Sequence, residues 1–269
     1  MPLSSRETEF VNTYEPPNAS QPTDVLQDFQ RVREYVSKHP EHGRRRASTN
    51  LGLNENRIRG WMNETSKPDV VRGLEHARGR GWLSMDESDP RQPALATLLA
   101  GIFACGGIAT NWVPAWLPET ERGHALIADA LADMTDGYVT RHEDDPDRPT
   151  EFLPAEGATV FGRVLVAYGA PQGDKNDDSV GHLPQWLLEA PKESRLRAVE
   201  LFLLERGTFF ESKDTVTIQA RNRRQSYRSD LATLVGSVTN EPVTAGRNVV
   251  VSAEAVRDLG FGRRDTVRR

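Results

Sequence analysis

The chain has 269 residues, 37% of them hydrophobic, enough to fill one large core or two modest ones and too few for many domains. Its 34 Lys and Arg against 39 Asp and Glu leave a formal net charge of -5, which excludes a uniformly basic nucleic-acid coat but not a locally basic face. The single cysteine, Cys105, excludes an internal disulfide and any CxxC-type metal pairing.

Residues 1–22, with one base against three acids and no apolar stretch behind a basic one, predict a disordered polar tail, no secretory or transit signal and a cytoplasmic location. Charge then segregates along the chain. Residues 23–83 carry twelve Lys and Arg against eight Asp and Glu, residues 84–192 seven against eighteen, and residues 193–269 fourteen against ten. Two basic regions therefore flank an acidic middle. Of the basic residues five are lysines and 29 arginines, a bias that resembles halophilic, GC-rich archaeal proteomes. Turn formers cluster at Pro16-Pro17 with Asn18 and Ser20, over a linker at 86–93, and in a Gly-, Asp- and Asn-rich loop at 169–181.

Over 23–85 the sequence predicts an all-α domain. Val25, Phe29, Val32 and Val36 form one apolar stripe on a helix that ends before Pro40. The run 44–61 then has small residues, Ala47 and Ser48, for a close helix crossing and Gly52 for a tight turn. Asn54 can cap a second helix whose Ile58 and Trp61 turn inward. Glu55, Asn56, Arg57, Arg59 and Asn63 are then left facing outward, and a third helix is expected over 69–80. Residues 23–83 resemble helix-turn-helix regulators, which implies DNA contacts from Arg44, Arg45, Arg46, Asn54, Asn56, Arg57 and Arg59.

The second region, 94–259, reads as α+β in two repeats, 94–168 and 192–259. Repeat one is expected as a helix at 94–106, a strand near 108–113, a helix at 121–134, strands near 137–141 and 150–153, and a helix at 157–168. Repeat two is expected as a helix running to Gly207, strands at 208–212 and 215–220, a helix at 226–238, strands at 242–245 and 248–252, and a helix at 253–259. Residues 260–269 read as a basic tail.

Leu99-Ala100-Gly101 with Gly107, and Leu183-Pro184-Gln185-Trp186 ahead of the helix ending at Gly207, resemble the repeats of LAGLIDADG homing endonucleases. That resemblance implies an αββαββα architecture with one metal-binding acid at the foot of each motif helix. Those positions hold Gly106 and Arg206, so the fold is expected without the nuclease, with no catalytic residue, metal or cofactor; Glu205 lies one residue off, about 100° around a helix. Ala96, Ala100 and Ala104 supply a small-residue ridge on the first helix, whereas Leu201, Phe202 and Leu203 make the second bulkier.

The family resemblance implies a transcriptional regulator that binds double-stranded DNA, with a homodimer compatible with the reading. Arg221, Arg223, Arg224 and Arg228 form a second basic run for phosphate contact. The alternatives are an active homing endonuclease and a protein-interaction module, the latter favoured by the acidic middle. No membrane span is expected, because the uncharged stretch 92–118 is apolar only over 94–109. The loop Asp174 to Asp178 lacks the Gly and Glu of a calcium loop, and His142 to Asp145 reads as a solvated turn. Cys105 is expected to be buried within the first motif helix.

Overall fold

Residues 1–22, expected as a disordered tail, contain a helix, α1 (Ser5–Asn12). Ser4 and Glu7 close a reciprocal capping box, and Phe10 and Val11 are fully buried. The local signal for this helix is the Ser-x-x-Glu spacing followed by an apolar pair. Arg78 holds the helix at 2.6 Å through Glu7, whose carboxyl it keeps below the usual range. Our computed structural model describes residues 3–15, 21–145, 147–175, 180–210, 212 and 214–261, so the turn cluster at 16–20 lies outside it.

The chain forms two units, Met1–Ser84 and Met85–Arg269. In the first, α1 is followed by α2 (Pro22–Lys38), α3 (Arg44–Leu51), α4 (Glu55–Met62) and α5 (Asp69–Gly79). Proline at the first position starts α2, and its Val25, Leu26, Phe29 and Val32 are buried at the expected spacing. Phe29 meets Trp61 edge-to-face at 5.8 Å between centroids. Gly52 ends α3 at φ +67°, the left-handed conformation that glycine adopts without strain.

The second unit is α+β: α6 (Gln92–Ala104), β1 (Gly106–Ile108), β2 (Pro114–Trp116), α7 (Glu121–Met134), β3 (Tyr138–Arg141), β4 (Glu151–Pro154), α8 (Ala158–Ala167), α9 (Gln185–Glu189), α10 (Lys192–Arg206), β5 (Gly207–Phe210), β6 (Thr215–Ile218), α11 (Gln225–Gly236), β7 (Val243–Ala245), β8 (Val249–Val251) and α12 (Ala253–Asp258). Its two antiparallel sheets, β1-β2-β4-β3 and β5-β6-β8-β7, repeat one strand order. The expected single strand near 108–113 is instead the turn between β1 and β2. Trp112 turns the chain there at φ +68°, and the Ala109 carbonyl accepts from its N–H at 2.8 Å.

Helices α6 and α10 pack against each other at the centre. Every residue of α6 except Pro93 is buried, as a helix apolar all round requires. Gly101 provides the seat for Trp116: a Cβ there would lie 2.5 Å from its ring, and the indole N–H donates to the Leu98 carbonyl at 3.0 Å. The motif glycine thus accommodates a strand tryptophan.

Residues 86–93, expected as a linker, are an ordered turn leading into α6. Asp86 accepts from the Ser88 amide and hydroxyl, and Asp89 accepts from the Arg91 backbone and guanidinium. Within the expected tail at 260–269, Phe261 is buried with the Arg122 guanidinium 5.0 Å from its ring centroid; residues 262–269 lie outside the described ones. Among the described residues no helix is long and apolar enough to cross a membrane.

Candidate functional site

The short turn between α3 and α4 leaves the predicted polar residues in three different states. Asn54 is spent on structure, its side-chain oxygen accepting the Asn56 and Arg57 amides as the N-cap of α4. Arg57, expected to face outward, folds back: it pairs with Asp28 of α2 at 3.3 Å and lies 5.1 Å over the Trp61 ring. Asp28 belongs to a different helix, so this tertiary pairing leaves no trace in local spacing. Arg44 pairs with Glu55 at 2.6 Å. Arg45, Arg46, Asn56 and Arg59 are exposed, and among the described residues their side chains have no hydrogen-bond or ion-pair partner. Four polar side chains therefore surround the turn, uncommitted, while Ile58 and Trp61 fix the opposite face of α4.

The arginine run of the second unit is likewise divided. Arg228 donates to the Arg223 carbonyl at 2.9 Å and to Gln225 at 2.8 Å, bracing the loop before α11. Arg223 donates to the Lys175 carbonyl and lies 5.7 Å from the Tyr227 ring centroid. Arg224 is the N-cap residue of α11, and Arg221 is exposed.

At the foot of the central helices the strand ladders reset the motif register. The Cys105 carbonyl accepts from Leu117 and the Arg206 carbonyl from Gln219, both at 2.8 Å, so these two residues correspond. Gly106 then matches Gly207, and Ala104 matches Glu205. Sequence matching aligns Gly106 with Arg206; the one-residue difference arises because α10 continues one residue further before its strand. In neither register do two carboxylates face each other.

The acids of α10 have other work. Buried Glu205 accepts from the Glu119 amide at 2.7 Å and the Thr120 hydroxyl at 2.8 Å, tying α10 to the start of α7. Buried Glu200 pairs with Arg122 at 2.5 Å and Arg197 at 3.0 Å. Cys105 sits just past the end of α6 rather than inside it; burial first, and then the Glu205 charge, push its thiol up, so it is no poised nucleophile. Lys175, from the loop between the halves, donates to the Ile102 and Gly106 carbonyls at the α6 terminus, while residues 176–179 of the same acidic loop lie outside the described ones.

One cluster has no counterpart in the sequence reading because its members flank a turn. His39, Glu41 and His42 bring ligand atoms within 4.8 Å of one another. The two imidazoles stack at 8°, and His42 already engages the Tyr35 hydroxyl and Glu41, a geometry that does not converge on one ion. No protein-family model matches the chain, and no curated protein is similar to it.

Proposed function

We propose that the protein is a sequence-specific DNA-binding protein, a transcriptional regulator that reads DNA with a helix-turn-helix formed by α3 and α4. The observation that carries this reading is the set Arg45, Arg46, Asn56 and Arg59, exposed and unpartnered among the described residues around a turn whose other face is locked by Ile58 and Trp61. Amide and guanidinium groups on a short, rigid helix suit base edges and phosphates of a major groove. In this reading the second unit is a LAGLIDADG-like platform without nuclease activity. Its support is the repeated strand order around a central helix pair, together with the structural use of Glu200 and Glu205.

A gel-shift titration at fixed salt tests the first part. Asn56→Ala with Arg59→Ala should weaken specific binding by roughly tenfold or more, while Arg57→Ala should act mainly on stability. Unchanged affinity in the double variant would sink the assignment. Incubation with supercoiled target DNA in Mg²⁺ and Mn²⁺ tests the second part, with no nicking expected because the described residues at the foot of the central helices pair no two carboxylates. Cleavage that disappears in Glu205→Gln would support the endonuclease reading instead.

A further inference from the structure

At the foot of the central helices a cavity of about 920 Å³ opens beside the second sheet. That volume lies at the upper end of small-molecule sites. Four cationic residues line it, Lys175, Arg206, Arg221 and Arg223, and no Asp or Glu is among the described lining residues. Like charges converging in a half-buried space repel unless an anion joins them.

The cations are held in place for such a partner. Lys175 is anchored by two carbonyls of the α6 terminus, and Arg223 is anchored on the Lys175 carbonyl. The Arg206 guanidinium has no hydrogen-bond or ion-pair partner among the described residues, although a carboxylate, Glu205, is its neighbour in sequence and is turned to α7. Burial, then Arg206 and Arg223, lower the Lys175 ammonium to about 8, the response of a buried amine beside other cations.

Phe103, Phe202 and Tyr227 close the wall behind these cations, each 4% exposed or less, and the Tyr227 hydroxyl has no partner among the described residues. A planar fork and an ammonium suit phosphate oxygens.

We infer that this cavity is a binding site for a small phosphate-bearing ligand, with Arg206 and Lys175 on the phosphate. The inference stands apart from the DNA-binding reading, because it concerns a free ligand whose titrations contain no DNA.

The test is calorimetric titration of the full chain at constant ionic strength with adenosine and guanosine monophosphates, the matching nucleosides and inorganic phosphate. Each phosphate-bearing probe should bind at least about tenfold more tightly than the nucleosides, and Arg206→Gln should remove at least about tenfold of that affinity. Asn222→Asp, which adds a negative charge at an exposed lining position with little demand on packing, should weaken binding in the same direction. Circular dichroism of both variants checks that they fold. No binding of any phosphate probe by the unaltered chain below about 10 mM, or binding indifferent to both substitutions, would overturn the inference. A nucleoside that binds as tightly as its monophosphate would overturn the phosphate assignment. Duplex binding that depends on Arg206, with no nucleotide binding, would assign the cavity to a DNA backbone phosphate and overturn it as well.

Discussion

The two halves of the second unit share a strand order and differ in where they put volume and charge. In the first half the helix contributes Gly101 and the strand contributes Trp116; at the corresponding ladder positions of the second half, the helix contributes Phe202 and the strand Ile218. Bulk has moved from strand to helix, and each seam remains closed, as close packing of an interior demands. At the helix feet the first half ends in uncharged Cys105 and the second in Arg206. The same topology therefore tolerates exchanged packing, while the chemistry belongs to one half only.

Changing the bulk in either seam should give the largest effect. Phe202→Ala should cost about 3–5 kcal/mol in urea unfolding. Gly101→Val should cost about 3 kcal/mol or more by driving a side chain into the indole and breaking its hydrogen bond to Leu98. A small loss in Gly101→Val would show that Trp116 has another place to go, and the exchange of volume between strand and helix would not hold.

Next in size is the tie between the halves. Glu205→Ala strands the Glu119 amide and the Thr120 hydroxyl and should cost about 1–3 kcal/mol, whereas its counterpart Ala104 has no polar side-chain atom to lose. Hydrogen exchange at the first turn of α7 should rise with the same substitution; unchanged protection there would show that Thr120 alone secures the cap.

The charge difference sharpens under pH. Below about pH 8 Lys175 holds its proton folded and unfolded; between about 8 and its ordinary 10.5 only the unfolded chain does. Stability should therefore gain from this group across that window, by at most about 1.4 kcal/mol per pH unit. Denaturation midpoints of the unaltered chain and Lys175→Met, compared from pH 7 to 10, should converge as pH rises if the ammonium is strained by burial together with Arg206 and Arg223. Parallel curves would show that the cluster is already neutralised.

The smallest effect belongs to the exposed end of the basic loop. Arg221→Ala should lower affinity for specific and random duplexes alike and flatten the salt slope by roughly 0.9, the signature of one phosphate contact. Arg228, committed to the Arg223 carbonyl and Gln225, should act through loop stability instead.

Periodicity makes most helices and the second sheet legible, because alternating Thr and Val in β6 or the buried stripe of α2 are local signals. The β1–β2 turn is not legible, because residues 109–113 are uncharged, hold no Gly or Pro to mark a turn and have no alternation to read. Site residues are legible as composition but not as roles: spacing places Arg57 outward, and only the fold brings Asp28 beside it. Lys175 and Arg206 lie on separate elements, and the cavity that unites them has no sequence motif.

The all-round burial of α6 also sets a schedule for synthesis. Its partner α10 follows about 100 residues later, so at about 5–20 residues per second an apolar helix waits roughly 5–20 seconds on the ribosome before its main covering surface exists. During that interval α6 is a target for chaperones and for its own copies on neighbouring ribosomes. Slowing translation between the two helices should lower the yield of folded protein more than the same delay placed after α10.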